Sequence, residues 1–275
     1  IGQNPTPLHN RYFILKLNFS VVSASGDHTE IRQALFEHIN TQIEIIVARY
    51  APWLKQPVRI QPDNAVTSLQ SLVGAISQTP YKLYILIDEY DNFANEVMIS
   101  PLHGTNRYEE LVQGEGIIKT FFKAIKDGAE GRGIDRVFLT GVSPVVLSDI
   151  TSGYNVTKDL THLDDYHDLC GFTADELAAA LAGVLEDRRL PAEQGVEILE
   201  LLQYFYNGYQ FGESDNPRLY NPTLALYFLD YFSRYGRYPR QMLDENLAMD
   251  RNRIQYVARL PHGETLINRA LNPAE

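Results

Sequence analysis

Apolar positions along the chain follow two periods, and the switches between them outline the elements. Tyr12 to Phe19 is dense in β-forming residues and predicts a strand. Ser25-Gly26-Asp27 breaks it, and Ile31, Leu35, Ile39, Ile43 and Ile46 then recur at helical spacing, predicting a helix from about Glu30 to Tyr50. Pro52, Pro57 and Pro62 mark a loop, after which Asn64 or Thr67 opens a second helix that ends near Thr79-Pro80. Leu83 to Ile87 is a continuous apolar run that stops abruptly at Asp88-Glu89-Tyr90-Asp91. Such a run predicts a strand buried on both faces, with its acidic end at the carboxyl edge of a sheet.

Residues 92–114, with Pro101, Gly104 and Gly114, read as an irregular loop beside that acidic end. Ile117, Ile118, Phe121, Phe122 and Ile125 predict an amphipathic helix from Glu115 to Ala129, closed by Gly131 and Gly133. Arg136 to Gly141 reads as a third strand ending in Thr140 and a glycine turn, and Pro144 opens a short helix over Val145 to Ile150. Strands alternating with helices predict a doubly wound, mostly parallel α/β sheet. The character changes near residue 171. Thr173-Ala174-Asp175-Glu176 is a capping-box sequence before Leu177, Leu181 and Leu185. A further helix is expected from Ala192 to Tyr206, and Asn221-Pro222 supplies the N-cap and first turn of another, through about Phe232. Two domains are therefore expected: an α/β core over 1–170 and a helical subdomain over 171–275.

The 275 residues carry a formal net charge of −11. Nonspecific contact with nucleic acid needs clustered Lys and Arg, and the densest basic segment, Arg234 to Arg240, is loosely spaced and reads as a solvated face. The 17 tyrosines concentrate between Tyr204 and Tyr238, where helical spacing reads most of them as packing residues. The single cysteine, Cys170, forms no internal disulfide, which fits a reducing, cytoplasmic compartment. No apolar stretch approaches the roughly 18–20 residues that span a bilayer. The opening Ile1-Gly2-Gln3-Asn4-Pro5 has no signal character and suggests a fragment of a longer protein.

The chemistry concentrates at the acidic strand end. A hydrophobic strand followed by Asp-Glu is the Walker B pattern, in which one carboxylate joins the shell of Mg²⁺ and its neighbour orients or deprotonates a water. Asp88 is the candidate metal and cofactor residue, and Glu89 the candidate catalytic base. Asp91 suits a helix N-cap equally well. Thr140, at the end of a strand that can lie beside the acidic one, is a candidate catalytic sensor for a γ-phosphate or the lytic water; Ser143 is a lesser cofactor-binding candidate. No G-x-x-x-x-G-K-[ST] loop occurs. Gly114 to Thr120 approaches it but lacks the glycine before Lys119, follows the acidic strand and places that lysine within a helix. Histidine pairs at zinc spacing, a G-x-S-x-G elbow and a G-x-G-x-x-G fingerprint are also absent. Without a phosphate loop, strong nucleotide binding by these residues alone is not expected.

Four segments in order, LYILIDEYDNF (83–93), FLTGVSPVVLSDITSGYN (138–155), LCGFTADEL (169–177) and FYNGYQF followed by YNPTLALYFL (205–211 and 220–229), resemble the AAA-ATPase-like family of bacterial P-loop proteins. The resemblance runs from about Phe13 to Tyr231 and implies a P-loop NTPase-like core followed by a helical, winged-helix-like lid. It further implies ATP and Mg²⁺ as ligands of the complete protein, with Asp88 on the magnesium, Glu89 on the water and Thr140 as sensor. Arg132 or Arg136 is an arginine-finger candidate, although no motif supports that role. Proteins of this kind often end in a PD-(D/E)XK nuclease domain, and nucleic acid would be a partner only through it; no such constellation is present here. The Walker A strand and loop would precede this chain, leaving the sheet incomplete, with a gap where its first, central strand would stand and a fold less stable than the parent's. Two other readings remain: a nucleotide switch or scaffold with little turnover, and a metal-dependent phosphoesterase using Asp88, Glu89 and Asp91 directly.

Overall fold

The computed structural model describes residues 5–23, 25–91, 116–141, 158–212 and 215–242. It forms two compact units, residues 1–157 and 158–275. Ser143 and the short helix expected over 145–150 lie outside the described residues, as do the loop expected over 92–114 and the basic residues beyond 242.

The first unit is α/β. Its strands β1 (Tyr12–Asn18), β2 (Lys82–Asp88) and β3 (Ile134–Leu139) form a parallel sheet in the order β1-β2-β3. The acidic strand is therefore the middle one. Neighbours pair directly, so no gap separates these three strands, and a further strand would join at the outer edge of β1 or β3. Helices α1 (His28–Tyr50) and α2 (Ala65–Ser77) connect β1 to β2, and α3 (Ile117–Ala129) precedes β3. Crossovers between parallel strands are right-handed, which for strands laid down in this order puts the helices on one face. α1 packs on α2 and α2 on α3, and their apolar sides close over Phe13, Leu15, Leu17, Leu83, Ile85 and Ile87.

The local signals explain the boundaries. Asp27 caps α1 by accepting from the backbone N–H of Thr29 and Glu30, while the Glu30 carboxylate accepts from the Asp27 N–H; the helix thus begins at His28, two residues before Glu30. Asn64, not Thr67, caps α2. β3 begins at Ile134, two residues earlier than the apolar run suggests, because Ile134 already pairs with Leu83 ahead of a register shift between Leu83 and Tyr84. At that irregularity the Tyr12 hydroxyl donates to Asp135 at 2.6 Å across the sheet, a bond that raises the phenol above its ordinary value.

One expectation fails. β2 is not buried on both faces: Leu83, Ile85 and Ile87 are buried, whereas Tyr84 and Leu86 are half-buried and Asp88 is exposed. The described helices cover one face, and burial alternates along the strand.

In the second unit, α4 (Ala174–Asp187), α5 (Gln194–Tyr206) and α6 (Pro222–Tyr235) enclose a core of Leu177, Leu181, Leu202, Phe228 and Phe232. The Thr173–Glu176 capping box and the Asn221 cap form as the residues predict, and Gly236 ends α6 in the left-handed conformation. A short antiparallel pair, β4 (Asn207–Tyr209) with β5 (Leu219–Tyr220), interrupts the helices, and Phe172 bridges to Tyr220. The Tyr206 hydroxyl, pushed up to about 12 chiefly by burial, donates to the Met242 carbonyl at 2.6 Å.

Candidate functional site

Parallel strands end together at one edge, and the polar residues that terminate β1, β2 and β3 meet there. Asn18 stands beside Asp88 in the β1–β2 register. Thr140 follows β3 and is drawn to β2 by its N–H, which donates to the Ile87 carbonyl at 2.9 Å. Its hydroxyl then donates to Asp88 Oδ1 at 2.6 Å. A hydroxyl to carboxylate bond this short is charge-assisted and fixes the carboxylate's orientation. The sequence placed Thr140 near the acidic end for contact with a ligand; the structure shows its hydroxyl holding Asp88.

The turn after β2 is tightly built. Glu89 has φ of 51°, the left-handed region that non-glycine residues seldom occupy. Its N–H donates to Asp88 Oδ1 at 3.1 Å, so that oxygen receives two donors. The reversal at Glu89 carries Tyr90 back over β3, where its N–H donates to the Thr140 carbonyl at 3.1 Å. Tyr90 is 6% exposed and Asp91 1% exposed, and both press on Gly141. A β-carbon there would stand 2.5 Å from Tyr90 Cε1 and 2.6 Å from Asp91 Oδ1, so only glycine fits without displacement.

The three acidic side chains therefore diverge. Asp88 is exposed, Glu89 half-buried and Asp91 buried against the glycine turn. Among the described residues no group of three or more His, Cys, Asp or Glu side chains is arranged to hold a metal ion. Asp88 is the carboxylate open to a cation, and Mg²⁺ is a metal that accepts few protein ligands while retaining its waters. The residues present fit that ion in donor chemistry: an exposed, oriented carboxylate oxygen at a sheet edge.

An open cavity of about 650 Å³ lies at this edge, lined among others by Lys16, Asn18, His38, Gln42, Asp88 and Thr140. Its volume is in the range of small-molecule sites. His38, from α1, stands edge-on to Phe19, and burial lowers its pKa below the ordinary value. Its Nε2 is buried without a hydrogen-bond partner. Lys16, His38 and Gln42 carried no signal in the sequence, because only the β1–β2 register and the packing of α1 bring them to Asp88.

Neither arginine candidate reaches this edge through its own strand. Arg132 pairs with Asp127 at 2.9 Å before β3, and Arg136 lies near the amino end of β3, 3.6 Å from Asp135.

Against this geometry, the family described as Predicted AAA-ATPase matches residues 1–151, more than half of the chain. The chain belongs to that family. Membership implies nucleotide binding in general terms, and the match covers the three-stranded sheet and the edge bearing Asp88 and Thr140. No curated protein and no solved structure matches the chain. No helix among the described residues is long and apolar enough to cross a membrane.

Proposed function

We propose that the carboxyl edge of the three-stranded sheet is the magnesium-nucleotide site of a P-loop NTPase-like ATPase, with turnover expected of the complete protein. The observation that carries this reading is the Thr140-held Asp88 at the end of the middle parallel strand, in a chain of the AAA-ATPase-like family. Open α/β sheets bind ligands at this edge.

In this reading Asp88 joins the shell of Mg²⁺ and Glu89 orients or deprotonates the attacking water. Thr140 holds the magnesium-associated carboxylate rather than touching the phosphate itself. Bound magnesium would neutralise charge on the transferring phosphoryl group. The second unit is read as the lid that follows an ATPase core, and the site as cytoplasmic. Ser143 remains a cofactor-binding candidate.

The test is ATP hydrolysis by the protein carrying its phosphate-binding loop, with Glu89→Gln as the variant. Turnover should fall by roughly 10²–10⁴-fold, the contribution of a positioned general base, while Mg·ATP binding persists. Unchanged turnover would remove Glu89 from the mechanism. Intact nucleotide binding with negligible turnover in both proteins would instead favour the nucleotide-switch reading.

A further inference from the structure

We propose that Lys16 is the anion-contacting residue of the cavity at the sheet edge, taking a phosphate oxygen of the ligand whose metal ion sits at Asp88. The inference rests on the nucleotide reading above and names a residue that the reading does not use.

Lys16 pairs with Leu86 and Asn18 with Asp88, so Lys16 and Asp88 stand on neighbouring strands two residues apart. Alternation puts Lys16, Asn18, Leu86 and Asp88 on the same face, opposite the buried Leu17 and Ile87. Strand spacing and rise place their Cα atoms about 8 Å apart. Both side chains line the same cavity, yet they form no ion pair with each other, and Lys16 forms none with any other described residue.

A cavity that presents one cation and one carboxylate without letting them neutralise each other suits a ligand that carries both signs. A metal–phosphate group does: its cation meets Asp88 and its oxygens meet the ammonium. A lysine acts on phosphate as a mobile point charge, and its flexible stem adapts to where the oxygen lies. Among the described residues the rest of the polar wall is uncharged. Gln42 and Asn18 are amides, and burial disfavours the protonated form of His38. Lys16 is therefore the cation among the described residues that line this cavity. The competing role is that of an edge guard, since β1 lies at one end of the described sheet and exposed lysines discourage pairing between edges.

Calorimetric titration of the protein carrying its phosphate-binding loop with magnesium pyrophosphate, beside spin-resonance titration with Mn²⁺ alone, separates these roles. Lys16 is exposed, so its variants are expected to fold, which thermal melts would check. Lys16→Gln should weaken pyrophosphate binding roughly ten- to a hundredfold, as expected for one charged hydrogen bond. Lys16→Arg, which keeps the charge, should stay within about threefold of the parent. Mn²⁺ binding should be unchanged in both. Equal pyrophosphate affinity in Lys16→Gln, with Mn²⁺ binding still lost in Asp88→Asn, would overturn the role of Lys16 and leave the nucleotide reading standing. Self-association of Lys16→Gln at unchanged affinity would overturn it in favour of the edge guard, and a loss in Lys16→Arg as large as in Lys16→Gln would overturn the charge argument. If the protein carrying its phosphate-binding loop binds neither Mn²⁺ at Asp88 nor pyrophosphate, the nucleotide reading fails and Lys16 falls with it.

Discussion

Glu89 combines a proposed chemical role with a backbone that disfavours its own side chain, so substitutions there should separate activity from stability. With φ of 51°, the residue sits where a β-carbon crowds the adjoining backbone. That conformation costs an L-residue roughly 1–2 kcal/mol. Glycine relieves the crowding but loses about 0.5–1 kcal/mol more conformational entropy on folding. The balance for Glu89→Gly is a stabilisation of about 0.5–1 kcal/mol relative to a side chain of equal charge. The proper reference is Glu89→Gln, which keeps the β-carbon but removes the repulsion between adjacent carboxylates. For a unit of about this size, 1 kcal/mol shifts Tm by roughly 2–4 °C. Glu89→Gly should therefore melt about 1–4 °C above Glu89→Gln. Asn, which tolerates the left-handed region, should fall between them, and Val, branched at the β-carbon, should melt below both. All four variants should lose turnover. The assay is thermal and urea unfolding followed by circular dichroism, with hydrolysis measured alongside. A Gly variant no more stable than the Gln variant would refute the claim that the turn strains residue 89.

Two other perturbations address the surroundings of the site. Gly141→Ala drives a methyl group into Tyr90 and Asp91, and overpacking of this kind costs about 1–3 kcal/mol; a loss below about 0.5 kcal/mol in urea titration would mean that the turn yields freely. His38 is a base whose folded-state pKa lies below the ordinary 6.5, so the unfolded chain binds the extra proton first. Its contribution is thus favourable above 6.5 and is lost as pH falls towards the folded value; His38→Gln should flatten that part of the stability profile, and an unaltered profile would show that other groups set it.

Local chemistry accounts for what the sequence revealed. The capping boxes at Asp27 and Thr173, the caps at Asn64 and Asn221 and the apolar stripes of α1 and α3 are encoded within a few residues of where they act. The acidic end of β2 is equally local, and Asp88, Glu89 and Thr140 were visible as a cluster of chemistry at strand ends. Features set by pairing were not. The shifted start of β3 depends on an irregular register with β2, and the one-sided burial of β2 depends on where the crossovers lay the helices. Thr140 was correctly placed beside Asp88, but only the 2.6 Å bond reveals that it serves the carboxylate. The strain at Glu89 arises because Tyr90 and Asp91 must reach Gly141, a contact about fifty residues away in sequence. Lys16 and His38 reached the site through strand register and helix packing, and β4 and β5 are too short to stand out from the aromatic helices around them.

The central claim is that Asp88, oriented by Thr140, is the carboxylate that takes the divalent cation. Mn²⁺ titration followed by electron spin resonance tests it most directly, comparing the parent with Asp88→Asn and Thr140→Val. The account predicts one bound ion in the parent, loss of that ion in Asp88→Asn, and about tenfold weaker binding in Thr140→Val, where the charge-assisted bond is gone but the shape is kept. Mn²⁺ bound as tightly by Asp88→Asn as by the parent would contradict it.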